Sequence, residues 1–270
     1  MPRIEPMAKL ILRDWLIPDW PAPAGVHAVC STRAGGASTA PYDSLNLGDH
    51  VGDDPVHVAA NRMIFQQAIG AKPVFLNQVH GTQVLKLDAA TAHASVADAC
   101  LTDQPGLACT IMVADCLPVL FASVDGHWVA AAHAGWRGLA GPNGAGILEE
   151  TCKHFYTLAL IDKGRVDTQI IAWLGPCIGP QAFEVGDEVR TAFVATNVQA
   201  AAMFEPLAGG KWLANLAGLA RQRLAALGVT QVFGNDGSAD WCTFAQPSRF
   251  FSHRRDRVSG RLAVSIWRDA

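Results

Sequence analysis

Two residues of this chain pair metal-site chemistry with a spacing that can be read in three dimensions. Cys116 lies in Ala114-Asp115-Cys116-Leu117-Pro118-Val119-Leu120, and His133 opens His133-Ala134-Gly135-Trp136-Arg137-Gly138. Between them stands Asp125-Gly126, a signal for a two-residue hairpin turn joining apolar strands over 118–124 and 127–133. Such a turn sets Val124 opposite His127 and, further along the ladder, Pro118 opposite His133. Cys116 then projects from the same face as His133, a diagonal neighbour with Cα atoms about 7–8 Å apart. Pro118 is tolerable because it begins its strand, where a missing N–H costs least. Thiolate and neutral imidazole are zinc ligands, and a site with three protein ligands keeps a fourth position for water or substrate. On spacing alone the pair has plainer uses, because buried Cys packs as a small hydrophobe and a strand-end His often serves structurally.

The elements around this hairpin read as one α+β domain spanning 1–270, with a mixed, largely buried β-sheet core flanked by helices and with 1–25 as a Pro-rich N-terminal lead-in. A strand is predicted over 26–32, followed by a Gly-, Ser- and Asn-rich loop over 33–52. Asp54-Pro55 opens a helix that Gly70 ends. Segments 73–79 and 82–87 read as a hairpin around His80-Gly81, and the apolar run 107–113 as a buried strand. Helices are predicted over 144–158, within 183–196 and over 212–227, with strands over 169–174, 229–233 and 261–267.

Composition narrows the function classes. Half of the 270 residues are hydrophobic and 17% are charged, which is ordinary for a globular enzyme. The net charge of −3 implies no basic face, so nucleic acid is not an expected partner. Arg3, Glu5, Lys9, Arg13 and Asp14 interrupt any leader-like apolar run, and no stretch reaches the ~18–20 residues of a membrane span. Seven scattered cysteines, an odd number, fit reduced thiols in the cytoplasm better than a disulfide framework. Oligomeric state is open, and a monomer is compatible with these features.

The segments carrying Cys116 and His133, together with Asn77-Gln78-Val79-His80-Gly81, closely resemble a known family. It comprises the purine nucleoside phosphorylase and adenosine deaminase enzymes formerly called laccase-like polyphenol oxidases, including the bacterial peptidoglycan editing factor. The likeness runs along nearly the whole chain. It includes Ser31-Thr32-Arg33-Ala34-Gly35-Gly36, Ser44-Leu45-Asn46-Leu47-Gly48 and Thr102-Asp103-Gln104-Pro105-Gly106. It continues through Gly175-Pro176-Cys177-Ile178-Gly179, Phe183-Glu184-Val185-Gly186-Asp187-Glu188-Val189, Phe250-Phe251-Ser252-His253-Arg254-Arg255-Asp256 and Gly260-Arg261. The resemblance implies one zinc per chain on His80, Cys116 and His133. It also implies phosphorolysis of adenosine, inosine, guanosine and methylthioadenosine, and deamination of adenosine. Two departures stand out: the stretch 139–143 after Gly138 is longer than the usual run into the helix, and His253 occupies a position where an aromatic residue, often tyrosine, is expected.

Other chemistries use the same residues. A multicopper oxidase needs many histidines in His-x-His pairs, and none of the nine here is so spaced, although a single His₂Cys copper site could be built. A cysteine amidase editing peptidoglycan precursors would use Cys116 as nucleophile and His133 as base, but leaves His80 without a role. The phosphate loops of nucleotide-binding modules and the His-x-Glu…Pro-Cys-x-x-Cys deaminase signature are absent. Arg33, Arg137 and Arg254 are candidates for phosphate because guanidinium grips oxyanions bidentately, and Arg33 leads them from its Gly-rich loop after a strand. Asn46, Asn77 and Gln78 could hydrogen-bond ribose or base. Asp103 and Asp115 are the candidates for proton transfer. A regular strand would turn Asp115 away from Cys116, which favours Asp103.

Overall fold

The computed structural model describes residues 14–163 and 168–270, so the first part of the lead-in, 1–13, lies outside the described residues. In chain order the strands are β1 Val26–Cys30, β2 Lys72–Phe75, β3 Val84–Lys86, β4 Ala99–Thr102, β5 Leu107–Val113, β6 Leu117–Ser123, β7 Val129–Ala134, β8 Ile170–Leu174, β9 Glu184–Gly186, β10 Phe204–Pro206, β11 Lys211–Ala214, β12 Gln231–Gly234 and β13 Leu262–Arg268. The α-helices are α1 Pro55–Ile69, α2 Trp136–Ala140, α3 Ile147–Lys163, α4 Asp187–Val194, α5 Leu216–Ala226 and α6 His253–Asp256.

Every residue of β5, β6, β7 and β8 is buried. Strands read as continuous apolar runs when both their faces are covered, and the layering supplies the cover. A four-stranded sheet, β1-β13-β5-β2, faces a six-stranded sheet, β12-β8-β6-β7-β4-β3. Along β6, Leu117, Val119 and Phe121 pack with Ile147, Leu148 and Phe155 of α3, while Leu120 and Ala122 pack between the sheets with Ile111, Val113 and Val264. The outer face of the four-stranded sheet is closed by Phe65 and Ile69 of α1. The order of layers is helix, sheet, sheet, helix, an α+β architecture with mixed sheets.

Local signals set several of these elements. Asp54 caps α1 by accepting from the Val56 N–H at 2.8 Å, and Gly70 ends it in the left-handed region at φ 66. Two expectations are corrected. Residues 73–87 do not form a hairpin: β2 pairs parallel with β5 in one sheet and β3 parallel with β4 in the other, so the chain crosses between sheets at His80. The predicted helix over 212–227 begins only at Leu216. Asn215 caps it by accepting from the Gly218 N–H at 2.8 Å, and Trp212 and Leu213 belong to β11, paired to both β9 and β10. Among the described residues no helix is long and apolar enough to cross a membrane.

Candidate metal centre

The β6–β7 ladder has the register expected from its turn, with Pro118 opposite His133. Cys116 stands just before β6, where the chain passes from β5 in one sheet to β6 in the other. His80 lies on the β2–β3 crossing with φ 60. The Cys116 Sγ is 3.6 Å from His80 Nε2, and one ligand atom each of His80, Cys116 and His133 lie within 4.8 Å of one another. A tetrahedral zinc with ordinary Zn–S and Zn–N bonds separates sulfur from nitrogen by ~3.6 Å, so this donor set fits such an ion. The imidazole rings meet edge to face, 4.7 Å apart at 68°. Space for them depends on Gly135, where a Cβ would come within 2.8 Å of His80 Cδ2 and 2.9 Å of Cys116 Sγ.

One buried carboxylate holds the His133 imidazole and the backbone of His80. Asp98 Oδ1 accepts from His133 Nδ1 at 2.8 Å and from the His80 N–H at 2.9 Å. Its Oδ2 accepts from the Gly81 and Val79 N–H groups at 2.7 and 3.2 Å. The crossing at His80 therefore donates its backbone to Asp98, which is why it forms a turn around an anion and not a hairpin. With His133 Nδ1 engaged, its Nε2 is left for a metal, the usual arrangement of a carboxylate behind a ligating imidazole. Gln78 fixes the same segment from the other side, donating to the Met112 carbonyl and accepting from its N–H, both at 2.8 Å.

Burial pushes the Cys116 thiol up, but His133 and His80 more than offset this and bring it down to about 6. Burial likewise pulls His133 down, and the Cys116 thiolate and Asp98 raise it to about 9. Burial would raise the Asp98 carboxyl, yet His133 and the Gly81 and Val79 N–H groups hold it below the usual carboxylate range. The result at neutral pH is a Cys116 thiolate paired with a His133 imidazolium, which must give up a proton before a divalent cation can take both as ligands.

The cluster forms the floor of a cavity of about 420 Å³, whose walls include Trp136, Ile178, Phe183, Arg254 and Arg261. Of the other residues singled out from sequence, Gln78, Asp115, His253 and Arg254 line it. Asp115 has φ 90, so the chain is not a regular strand there; its carboxylate accepts from Thr243 Oγ1 and the Arg254 N–H, both at 2.6 Å. Asp103 is not on the cavity wall: it is 3.8 Å from Lys86 Nζ, and its carbonyl accepts from Arg268. Arg33 is also elsewhere. It donates to the Asp43 and Pro247 carbonyls and to the Asp43 carboxylate, with its guanidinium over the Phe251 ring. Arg137 is exposed, stacked on Trp136 outside the cavity. Asn46 is fully buried and binds Gly48, Asp53 and the Arg261 N–H. Asn77 is exposed, and its backbone bridges to Val96.

Sequence reasoning passed over Asp98, Arg261 and His50, of which the latter two line the cavity. Asp98 had a signal: a lone acid in Val96-Ala97-Asp98-Ala99-Cys100-Leu101 must find partners if its neighbours are buried. It lies one step beyond the Ala99–Ala132 pair of β4 and β7, directly across from His133.

A helix–sheet–sheet–helix chain carrying a His₂Cys cluster at the point where it crosses between sheets is thereby defined as a candidate single-ion metalloprotein. The chain belongs to the family described as multi-copper polyphenol oxidoreductase laccase, which matches residues 27–269. It is similar to a purine nucleoside phosphorylase of Escherichia coli (strain K12), with 51% identity covering 97% of this chain and 99% of that protein. A purine nucleoside phosphorylase of Pseudomonas aeruginosa is 49% identical over 95% of this chain and 99% of its own length. Among solved structures, a Neisseria meningitidis protein superposes with a TM-score of 0.86 at 44% identity, covering 95% of this chain and all of that one, 100%. YlmD of Geobacillus stearothermophilus superposes at 0.82 with 30% identity, covering 95% of this chain and 96% of its own.

Proposed function

We propose that this chain is a zinc-dependent purine nucleoside phosphorylase of the cytoplasm that also deaminates adenosine, with inosine, guanosine, adenosine and methylthioadenosine as its substrate set. The observation that carries the reading is a thiolate–bis-imidazole cluster beneath a cavity that has both arginines and an aromatic wall. The names of the relatives support the nucleoside and the phosphate, and the seven free cysteines support a reducing compartment.

His80, Cys116 and His133 would hold the ion, which when bound supplies Lewis acidity at an open fourth position. Phosphorolysis joins a phosphate oxygen to C1′ of the ribose and releases the base with the electron pair of the broken C–N bond. Arg254 and Arg261 balance the charge of the phosphate. Phe183 and Trp136 supply flat apolar surface for the purine. In deamination water adds at C6 and ammonia leaves, and Asp115 is the carboxylate for the proton transfers. Asp98 keeps the Nδ1 proton of His133, so the other ring nitrogen stays available.

A metal-free hydrolase reading draws on one specific feature, the sequence of contacts Cys116, His133 and Asp98, which has the order of a nucleophile, a base and its orienting carboxylate. Cys116→Ser separates the two. In the zinc reading metal content and phosphorolysis fall together, because a hydroxyl is a poorer ligand than a thiolate. A variant that retained its zinc and trapped a covalent ester would establish the hydrolase. Elemental analysis of protein prepared without added metal, followed by a nucleoside panel with and without phosphate, tests the primary reading; copper in place of zinc would return it to oxidase chemistry.

A further inference from the structure

The arginines that matter here differ in what already engages them. Arg33, Arg62, Arg223 and Arg255 each face a carboxylate, on Asp43, Asp49, Glu149 and Asp256 respectively. Arg254 and Arg261 make no ion pair among the described residues, although both line the cavity above the cluster. Each is anchored through Nη1 alone. Arg254 Nη1 donates to the Glu184 carbonyl at 2.9 Å, and Arg261 Nη1 donates to the Ser259 and Gly260 carbonyls at 2.9 and 3.1 Å. The Nε and Nη2 groups of both have no hydrogen-bond partner among the described residues.

Asp115 and the Cys116 thiolate act on Arg261 through their charge, but neither hydrogen-bonds to a guanidinium. Both oxygens of Asp115 are already engaged, one by Thr243 Oγ1 and one by the Arg254 main-chain N–H. The stem of Arg261 is packed in place, since a Cβ at Gly48 would lie 2.7 Å from its Cγ, and its N–H is held by Asn46 at 2.9 Å. Burial lowers the Arg261 pKa from its usual value, and it lowers His50 too, where Arg261 adds its repulsion. The wall therefore holds two guanidinium groups, a desolvated one at Arg261 and a half-exposed one at Arg254, each with two unused donors forming one edge of its fork. Guanidinium donors left unpaired on a partly desolvated wall are unfavourable, and a tetrahedral oxyanion satisfies both the charge and the donors.

From this geometry we infer that Arg261 and Arg254 together form the subsite for inorganic phosphate, with their Nε–Nη2 edges as the donors. The inference rests on the phosphorylase reading for the identity of the anion, but the subsite itself does not depend on turnover. It replaces Arg33, whose three nitrogens are engaged by Asp43 and Pro247, and Arg137, which stands outside the cavity.

The test uses the metal-loaded protein with inorganic phosphate as the probe. Phosphate affinity is measured by calorimetry and by the rise in melting temperature, and inosine phosphorolysis is followed across a phosphate titration. Arg261→Gln and Arg254→Gln are each expected to raise the phosphate Kd and the phosphate KM by about ten- to a hundredfold, the loss of one charge-assisted fork. Arg261→Lys, which keeps the charge but not the fork, should show a smaller loss and carries the test if the glutamine variant fails to fold. Arg137→Ala serves as the control with wild-type phosphate affinity. Phosphate Kd and KM unchanged within twofold in both glutamine variants would overturn the inference while leaving the phosphorylase reading intact. Phosphate binding that both variants lose, in a protein that cleaves no nucleoside, would support the subsite and sink the phosphorylase reading. Melting raised by adenosine 5′-monophosphate but not by inorganic phosphate would assign the donors to a nucleotide and overturn the assignment to free phosphate.

Discussion

Asp98→Asn keeps the shape of the side chain and removes one of its acceptor oxygens. Whichever way the amide sits, two donors lose a partner and face an NH₂ group: Val79 and Gly81 N–H in one orientation, His80 N–H and His133 Nδ1 in the other. Hydrogen bonds to a charged group contribute about 1.5–3 kcal/mol each, so two of them amount to roughly 3–6 kcal/mol before neighbouring groups relax. Against a total stability of ~5–15 kcal/mol this is a large fraction, and melting should fall by roughly 10 °C. The effect on the site is separate. Loss of a carboxylate behind a ligating imidazole costs about ten- to a hundredfold in metal affinity. The assay is paired: denaturant unfolding of the metal-free protein, and zinc competition against a chromophoric chelator. Asp98→Glu, which keeps the charge and moves it, should lose metal affinity with a smaller loss of stability. Zinc affinity within threefold of the parent, in a variant that melts at the parent temperature, would refute the view that Asp98 positions the ligands.

Three further outcomes follow from the geometry. In the metal-free protein Cys116 titrates at about 6 and His133 at about 9. Zinc should therefore release one proton from His133 between those values and a second, from Cys116, at lower pH; its apparent affinity should climb about tenfold per pH unit between about 6 and about 9 and more steeply below, and a flat profile would contradict this. Gly135→Ala inserts a methyl group against His80 and Cys116, and overpacking of this kind costs about 1–3 kcal/mol; weaker zinc binding is expected, and parental affinity by chelator competition would argue against a tight fit. Arg33→Ala should lower stability by about 1–3 kcal/mol while leaving the phosphate KM alone, because its donors hold loops together; a raised phosphate KM would show that it reaches the substrate.

The parts of the site that are legible in sequence are those set by local signals. A two-residue turn specifies its own ladder, so the Cys116–His133 relationship followed from Asp125-Gly126. The caps of α1 were equally local. What could not be read depends on pairing between distant segments. β2 joins β5 and β3 joins β4 as parallel neighbours, which no turn announces, so a loop gripping Asp98 looked like a hairpin. β4 is only four residues long, and missing it hid the cross-strand position of Asp98. The Asn215 cap was outweighed by apolar spacing that continued backwards into β11. Among the arginines, chemistry of type was readable but availability was not, since it depends on which donors the fold has already engaged.

The crossing of the chain between its two larger sheets at both His80 and Cys116 has a thermodynamic consequence. These residues are 36 positions apart, and each sits where one layer hands the chain to the other. An ion held by both would tie the layers at their rim, so that separating the sheets and releasing the ion become one linked equilibrium. Free metal at a hundred times its Kd would add about 2.7 kcal/mol to the cohesion of the two layers. Linkage is reciprocal: truncating Leu120, buried between the sheets, would loosen the grip on the ion to the extent that it lets the layers part.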